Sequence, residues 1–217
     1  EPFCASYLAG ETPNPCIECN RHLKFGALHH YRQERGFDFL ATGHYARVAF
    51  NESTGRYEIR RGRDASKDQS YVLYCLNQDQ LAHTLLPLGA FSKDEVRALA
   101  RQAGFANAQA PESQDICFIP GGDYGEFIEQ VTSASSAPGP IVDTAGTVLG
   151  THRGLAFYTI GQRKGLGIAY SEPLFVLAKD TARNTLVVGP RSQQGVSTVW
   201  ARNVNFVARA GLDSPLA

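Results

Sequence analysis

Cys16-Ile17-Glu18-Cys19 sets two thiols three positions apart. Such a pair can be half of a zinc site, a redox couple, or two thiols with no joint role. A structural zinc site takes four ligands, usually as two close pairs, and no second CxxC or His-x-His pair appears. His22, His29 and His30 follow on the same expected helix without closing a ligand set. A thioredoxin-like couple stands directly after a strand, whereas this pair follows the Pro-rich loop Thr12-Pro13-Asn14-Pro15. With Asn14 as N-cap and Pro15 at the first helical position, both thiols fall in the opening turns of a helix. Backbone N–H groups and the helix dipole favour a thiolate there, and burial as small apolar side chains is the competing reading.

Cys117 is the second candidate, in Ser113-Gln114-Asp115-Ile116-Cys117-Phe118-Ile119-Pro120-Gly121-Gly122. The neighbouring glycine loop predicts an accessible thiol, while the apolar run alone predicts a short core strand. Cys4 and Cys75 read as structural. Gly161-Gln162-Arg163-Lys164-Gly165-Leu166-Gly167 places two cations between glycines, a flexible basic loop suited to phosphate. It lacks the Walker A spacing, and an ordinary solvated hairpin loop is the alternative.

Elements must position these groups. Leu23, Ala27, Leu28 and Tyr31 predict the apolar stripe of a helix that starts at Asn14-Pro15 and stops at Gly36. A strand over Phe37–Thr42 should run into Gly43-His44, the carboxyl-end position where open α/β sheets bind ligands. Residues 51–70 are polar and turn-rich. A strand over Tyr71–Leu76 and a helix from Asn77 towards Pro87 should follow. Ser92 and Glu95 form a capping box ahead of a stripe of Val96, Leu99, Ala100 and Ala103, closed by Gly104. The stretch from Ser133 to Pro140 reads as a linker. Beyond it the periodicity turns strand-like. Ile141–Asp143 pairs with Thr147–Leu149, Phe175–Ala178 with Thr185–Val188, and a further strand is expected from Thr198 to Ala208. The fold expected is an α/β domain followed by a small, mostly β domain.

The 217 residues are 43% hydrophobic and 19% charged, enough to bury a core and too apolar for disorder. Lys plus Arg (21) balances Asp plus Glu (21), so net charge alone names no nucleic-acid or membrane partner. Residues 151–217 nevertheless hold eight basic against three acidic side chains, modest support for a nucleic-acid partner. No apolar run reaches membrane-spanning length and no signal-peptide pattern opens the chain, so no membrane partner is expected. Five sparse cysteines fit reduced thiols in the cytoplasm. The lack of any Met and the opening Glu1-Pro2-Phe3-Cys4 predict a piece of a longer protein.

Five strings then occur in one order between Thr12 and Ala208: Thr12-Pro13-Asn14-Pro15-Cys16-Ile17-Glu18-Cys19-Asn20, Ala41-Thr42-Gly43-His44-Tyr45, Lys67-Asp68-Gln69-Ser70-Tyr71, Asp115-Ile116-Cys117-Phe118-Ile119, and Gly161 to Gly167. Together they closely resemble the tRNA-specific 2-thiouridylase family, whose members place sulfur at carbon 2 of the wobble uridine using ATP. The resemblance implies a Rossmann-like PP-loop ATPase domain of the adenine nucleotide alpha hydrolase type, a small central domain and a C-terminal β-barrel. It divides the chain into residues 1–134, 135–196 and 197–217 accordingly, with the phosphate loop and most of the barrel outside it. It also implies that this piece alone is inactive. Matched motif by motif, Cys117 carries the persulfide and Cys19 is its catalytic partner, joining it in a disulfide as product leaves. Gly43 contacts ATP, bound with Mg2+. Asn14, Pro15 and Cys16 contact the target base, and His44, Lys67, Asp68 and Gln69 contact tRNA. The sulfur donor is a sulfur-relay protein or a cysteine desulfurase. Many family members carry Asp where this chain has Cys16; by the resemblance, a thiol there either acts as a weaker base when ionised or competes with Cys19 for the disulfide.

Two readings compete with this one. A non-catalytic RNA-binding module with a structural CxxC would hold zinc, and a general thiol–disulfide oxidoreductase would join Cys16 to Cys19.

Overall fold

The structure, a computed structural model, describes residues 2–110, 116–119, 124–132, 137–212 and 214. Asp115, the Gly121-Gly122 loop and the serines of the expected linker, Ser133 to Ser136, lie outside them. The chain divides into two compact units. One contains residues 15–112 and 201–217, the other residues 1–14 and 113–200.

Helix α1 (Pro2–Leu8) belongs to the second unit. The first unit starts with α2 (Pro15–Glu18), passes without a break through a π-helical segment, Cys19–Ala27, and ends in α3 (Leu28–Glu34). Gly36 follows at φ +68°, the left-handed stop expected of it. The helix thus has the predicted ends but a different buried face. Leu23, Ala27, Leu28 and Tyr31 are all exposed. Asn20, Phe25, His29 and Arg32 are buried instead. The spacing of five between Asn20 and Phe25 explains the discrepancy: the 3.6-residue period assumed for the stripe does not hold through a π segment.

Strand β1 (Leu40–Ala41) is shorter than expected and pairs in parallel with β4 (Thr84–Leu85). Between them, β2 (Ala46–Asn51) and β3 (Arg56–Arg61) form an antiparallel hairpin turned at Gly55. The alternation Arg56-Tyr57-Glu58-Ile59-Arg60 carries the strand signal inside a stretch that reads as polar and turn-rich. Tyr71–Leu76 is not a strand: Ser70–Leu73 is a 3₁₀ turn that buries Val72 and Leu73. A short apolar run cannot by itself separate these two outcomes. Helix α4 (Gln78–Ala82) has a capping box of Asn77 and Gln80, and α5 (Lys93–Gln102) has the predicted one of Ser92 and Glu95. Phe25, Ala46, Val72, Leu73, Leu76 and Leu81 form the core of this unit.

Residues 201–207 return to the same core. Asn205 Nδ2 donates to the carbonyls of Tyr74 and Leu76, each at 2.8 Å. The Arg56 guanidinium donates to the carbonyls of Phe206 and Val207, and Gln78 Nε2 to that of Val207. The strand expected over Thr198–Ala208 is therefore not formed, because side chains of the first unit satisfy these carbonyls.

In the second unit, α1 packs on α6 (Tyr124–Thr132) around Cys4, Tyr7, Ile128 and Ala156. A four-stranded sheet follows in the order β6 (Val148–His152), β5 (Gly139–Val142), β8 (Thr185–Pro190), β7 (Leu174–Asp180). Both predicted hairpins, β5–β6 and β7–β8, are present, joined by a parallel β5–β8 pairing.

One contact gives a direct test of this packing. A Cβ on Gly89 would stand 1.8 Å from the Ala46 carbonyl oxygen, so Gly89→Ala must push the Pro87–Ala90 turn off β2. The expected cost is about 1–3 kcal/mol, the range for overpacking. Gly36→Ala, in open space at φ +68°, should show only the left-handed backbone penalty of about 1–2 kcal/mol, with no displacement of neighbours. Urea denaturation gives both costs, and amide exchange in β2 should rise for Gly89→Ala alone.

Candidate functional site

The site in the first unit is built around the loop that leaves β1. Thr42 N–H still donates to the Leu85 carbonyl, continuing the parallel pairing, and the chain then turns through Gly43-His44-Tyr45 into β2. Gly43 is exposed; only a Leu88 methyl lies within van der Waals contact, 3.5 Å, of where a Cβ would be. His44 is buried, its Nδ1 2.8 Å from Thr42 Oγ1 and its ring 6.0 Å from that of Phe25. Burial, together with the nearby Lys24 ammonium, lowers its pKa to about 4. The imidazole is therefore neutral at pH 7.

Lys67-Asp68-Gln69 is laced to this loop through both backbone and side chain. Gln69 N–H donates to the Tyr45 carbonyl and Gln69 Oε1 accepts from the Tyr45 N–H, at 2.9 and 3.0 Å. Asp68 Oδ1 accepts from the N–H groups of Gly62 and Ser70, and Oδ2 from the Ser70 hydroxyl. Partial burial would raise the Asp68 pKa, but these hydrogen bonds outweigh it and hold the carboxyl below its usual range. Asp68 thus acts as the brace of its own loop. The pKa of Asp64 is lowered by bonds from the Ser66 hydroxyl and the Lys93 N–H, which closes the other side of the turn.

The thiol pair approaches from the helix. Cys16 is exposed and Cys19 half-buried. Asn20, next to Cys19, donates from Nδ2 to the Val72 carbonyl at 3.1 Å, and Val72 N–H donates to the Gln69 carbonyl. One chain of hydrogen bonds thus links Asn20, the Ser70–Leu73 turn, Gln69 and Tyr45. Glu18 accepts from Arg21 at 2.7 Å and lies 3.1 Å from His22 Nε2. Burial raises the pKa of the Cys75 thiol, with Arg21 acting against it, so Cys75 is a protonated, half-buried thiol.

Pro15, Cys16, Cys19, Gly43, His44, Lys67, Asp68 and Gln69 all belong to the first unit, and Asn14 to the other, one residue before the first begins. Cys117 belongs to the other unit. It is exposed in a turn closed by the Ile119 N–H on the Ile116 carbonyl, not in a core strand. Phe118 holds that turn against Phe3 and Phe127, with ring centroids 5.8 and 5.6 Å apart. Arg163, Gly165, Leu166 and Gly167 of the basic loop line a cavity of about 570 Å³ with Tyr170 and Leu174. Among the described residues no group of three His, Cys, Asp or Glu side chains can hold a metal ion. No helix among them is long and apolar enough to cross a membrane. Sequence reasoning missed Asn20, Gly62 and Gly89; the Asn in Cys19-Asn20 was in view, but its partner Val72 lies 52 residues away.

His44 sets a pH dependence. Its folded-state pKa, about 4, lies below the ordinary 6.5, so the unfolded chain binds the extra proton between those values. Stability of the first unit should be full above pH 6.5 and fall as pH drops towards 4. His44→Gln should flatten that limb in denaturant melts, and the His44 ring signals of the wild type should titrate near pH 4 by NMR. A midpoint near 6.5 would contradict the burial.

A family model described as the tRNA methyl transferase HUP domain matches residues 1–121, and one described as the tRNA methyl transferase PRC-barrel domain matches residues 125–190. The tRNA-specific 2-thiouridylase MnmA of Moorella thermoacetica is 54% identical over 205 residues, covering 94% of this chain and 57% of that protein. The protein of the same name from Desulforudis audaxviator is 52% identical over 206 residues, 95% and 60% of the two chains. That from Heliobacterium modesticaldum is 49% identical over 217 residues, 100% and 56%. The chain spans less than two thirds of the length of these relatives. The matched domains are a Rossmann-like HUP domain and a PRC-barrel domain, in agreement with the α/β architecture expected. With these two domains matched in this order along its length, the chain belongs to the tRNA-specific 2-thiouridylase family.

Proposed function

We propose that this chain carries thiol groups and RNA-contacting residues of an ATP-dependent enzyme that converts the wobble uridine of tRNA to 2-thiouridine. The observation that supports it most is the hydrogen-bonded path from Asn20, beside Cys19, to Gln69 and Tyr45, which joins the thiol helix to both loops read as nucleotide and tRNA contacts. The family-model descriptions speak of methyl transfer and the relatives' names of sulfur. An exposed Cys117 and a half-buried Cys19 at a helix start favour sulfur, since thiolates are its natural carriers.

In this reading Gly43, exposed at the end of β1, leaves main chain open to the nucleotide, and ATP supplies an adenylate leaving group on the uridine oxygen. Cys117 receives a sulfane sulfur from a relay protein or cysteine desulfurase. The outer sulfur bonds to carbon 2 as the C2–O bond breaks and AMP departs. The Cys19 thiolate then attacks Cys117 Sγ, and the S–S bond of the adduct breaks with its electron pair left on the sulfur at carbon 2. The products are 2-thiouridine and a Cys19–Cys117 disulfide, which a thiol reductant reopens. Asn14, Pro15 and Cys16 contact the target base. Lys67, Asp68 and Gln69 form the braced loop that meets the tRNA, with neutral His44 packed beneath.

Cys19→Ser in the natural protein should abolish 2-thiouridine, read by nucleoside mass spectrometry, while tRNA affinity stays within about twofold. Cys16→Ser should cost less. Incubation with a cysteine desulfurase and its relay should add one sulfur to the peptide holding Cys117. An active Cys19→Ser enzyme beside a dead Cys16→Ser enzyme would reverse the roles of the pair.

A further inference from the structure

The helix that carries the thiols is wound abnormally from the moment it passes Cys19. The Leu28 N–H donates to the Leu23 carbonyl, five residues back, and the wide turns extend over Cys19–Ala27. Segments of this kind are rare and usually confined to a single turn at sites with a role. Two residues make this one specific. Gly26 faces the Arg21 carbonyl, also five residues back, where a Cβ would stand only 2.8 Å from the oxygen. Asn20, 1% exposed, is tied to Val72 through Nδ2, and its Oδ1 is buried with no hydrogen-bond partner. A buried amide half-satisfied in this way is costly to keep.

The winding settles where the thiols face. Asn20 and Phe25 are both anchored in the interior, five residues apart. On an α-helix five residues turn through about 500°, which leaves the two side chains about 140° apart and only one of them inside. Phe25 is completely buried, and its carbonyl accepts from Gln80 Nε2; His29 and Arg32 bury the turns beyond it. These contacts fix the far end. Rewinding Cys19–Ala27 as an α-helix would therefore be taken up at the near end, turning Cys16 and Cys19 by about one α-helical residue, 100°.

We propose that the π-helical segment is the positioning device for Cys19, and that Gly26 and Asn20 are positioning residues that act through it without touching substrate. This rests on Cys19 being the nucleophile. Gly26 permits the wide turn and Asn20 holds its near end to the Ser70–Leu73 turn. Neither residue has to meet RNA for the reaction to depend on it.

The test uses Gly26→Ala and Asn20→Leu in the natural protein, with two readouts. Brief iodoacetamide labelling, resolved by mass spectrometry, should shift the Cys19-to-Cys16 labelling ratio at least fivefold in each variant. Labelling of Cys117, in the other unit, should stay unchanged. Thiolation kinetics should show kcat down at least tenfold with KM for tRNA within twofold. Asn20→Asp, which retains the side-chain shape but not the amide donor, should resemble Asn20→Leu. Wild-type labelling ratios and kcat in folded Gly26→Ala and Asn20→Leu proteins would overturn the proposal. If Gly26→Ala unfolds, seen as parallel rises at Cys4 and Cys75, Asn20→Leu alone decides. If Cys19→Ser keeps full thiolation, the assignment of the nucleophile falls, and with it any catalytic meaning of the segment, whatever the labelling ratio.

Discussion

The backbone of Tyr45-Ala46 is held between two glycines that no other residue could replace without displacement. A Cβ on Gly62 would stand 2.7 Å from the Tyr45 carbonyl oxygen, and one on Gly89 would overlap that of Ala46. Close-packed interiors do not yield to such an intrusion without shifting an element. The β2–β3 hairpin, the loop from Asp64 to Ser70 and the Pro87–Ala90 turn all meet on those two peptide units. Gln69 adds a matched pair of hydrogen bonds to Tyr45, and Arg63 N–H donates to the Gly89 carbonyl. The loops at the end of β1 are short of regular structure, yet their positions relative to one another are determined.

From that hub the site extends in two directions. Towards the loops, Asp68 and Asp64 spend their carboxylates on neighbouring N–H and O–H groups, so acidic residues in a basic surrounding serve as turn braces. Towards the helix, Phe25 packs beside His44 and Asn20 reaches Val72. His44 illustrates the consequence of packing for chemistry. In water it would be partly protonated near neutrality; in the core it stays neutral far below that, packed beside Phe25 and bonded to Thr42.

The second unit solves a simpler problem. Its sheet is closed by Ile141, Leu174, Val176, Leu186 and Val188, alternating positions on strands that read as hairpins. The turn of Cys117 is supported from outside that sheet by an aromatic cluster, Phe3, Phe118 and Phe127. A thiol on an exposed turn with a fixed base can be reached by a partner without the turn losing its place.

Features held by local interactions were legible in residue types and spacing alone. The ends of the thiol helix at Pro15 and Gly36, the capping box of α5 and both hairpins of the second unit depend on neighbours within a few residues, so composition and spacing reveal them. The motif strings likewise located the candidate thiols and loops. The tertiary structure alone decided which face of the helix is buried. Leu23, Leu28 and Tyr31 have the apolar spacing of a core stripe and are exposed, because a π-helical segment carries Phe25 inward in their place. Tyr71–Leu76 became a 3₁₀ turn, and residues 201–207 became a strap, for the same kind of reason. Their backbone groups found partners in Asn20, Asn205, Arg56 and Gln78, side chains as many as 151 residues away along the chain, and no local pattern records such a pairing.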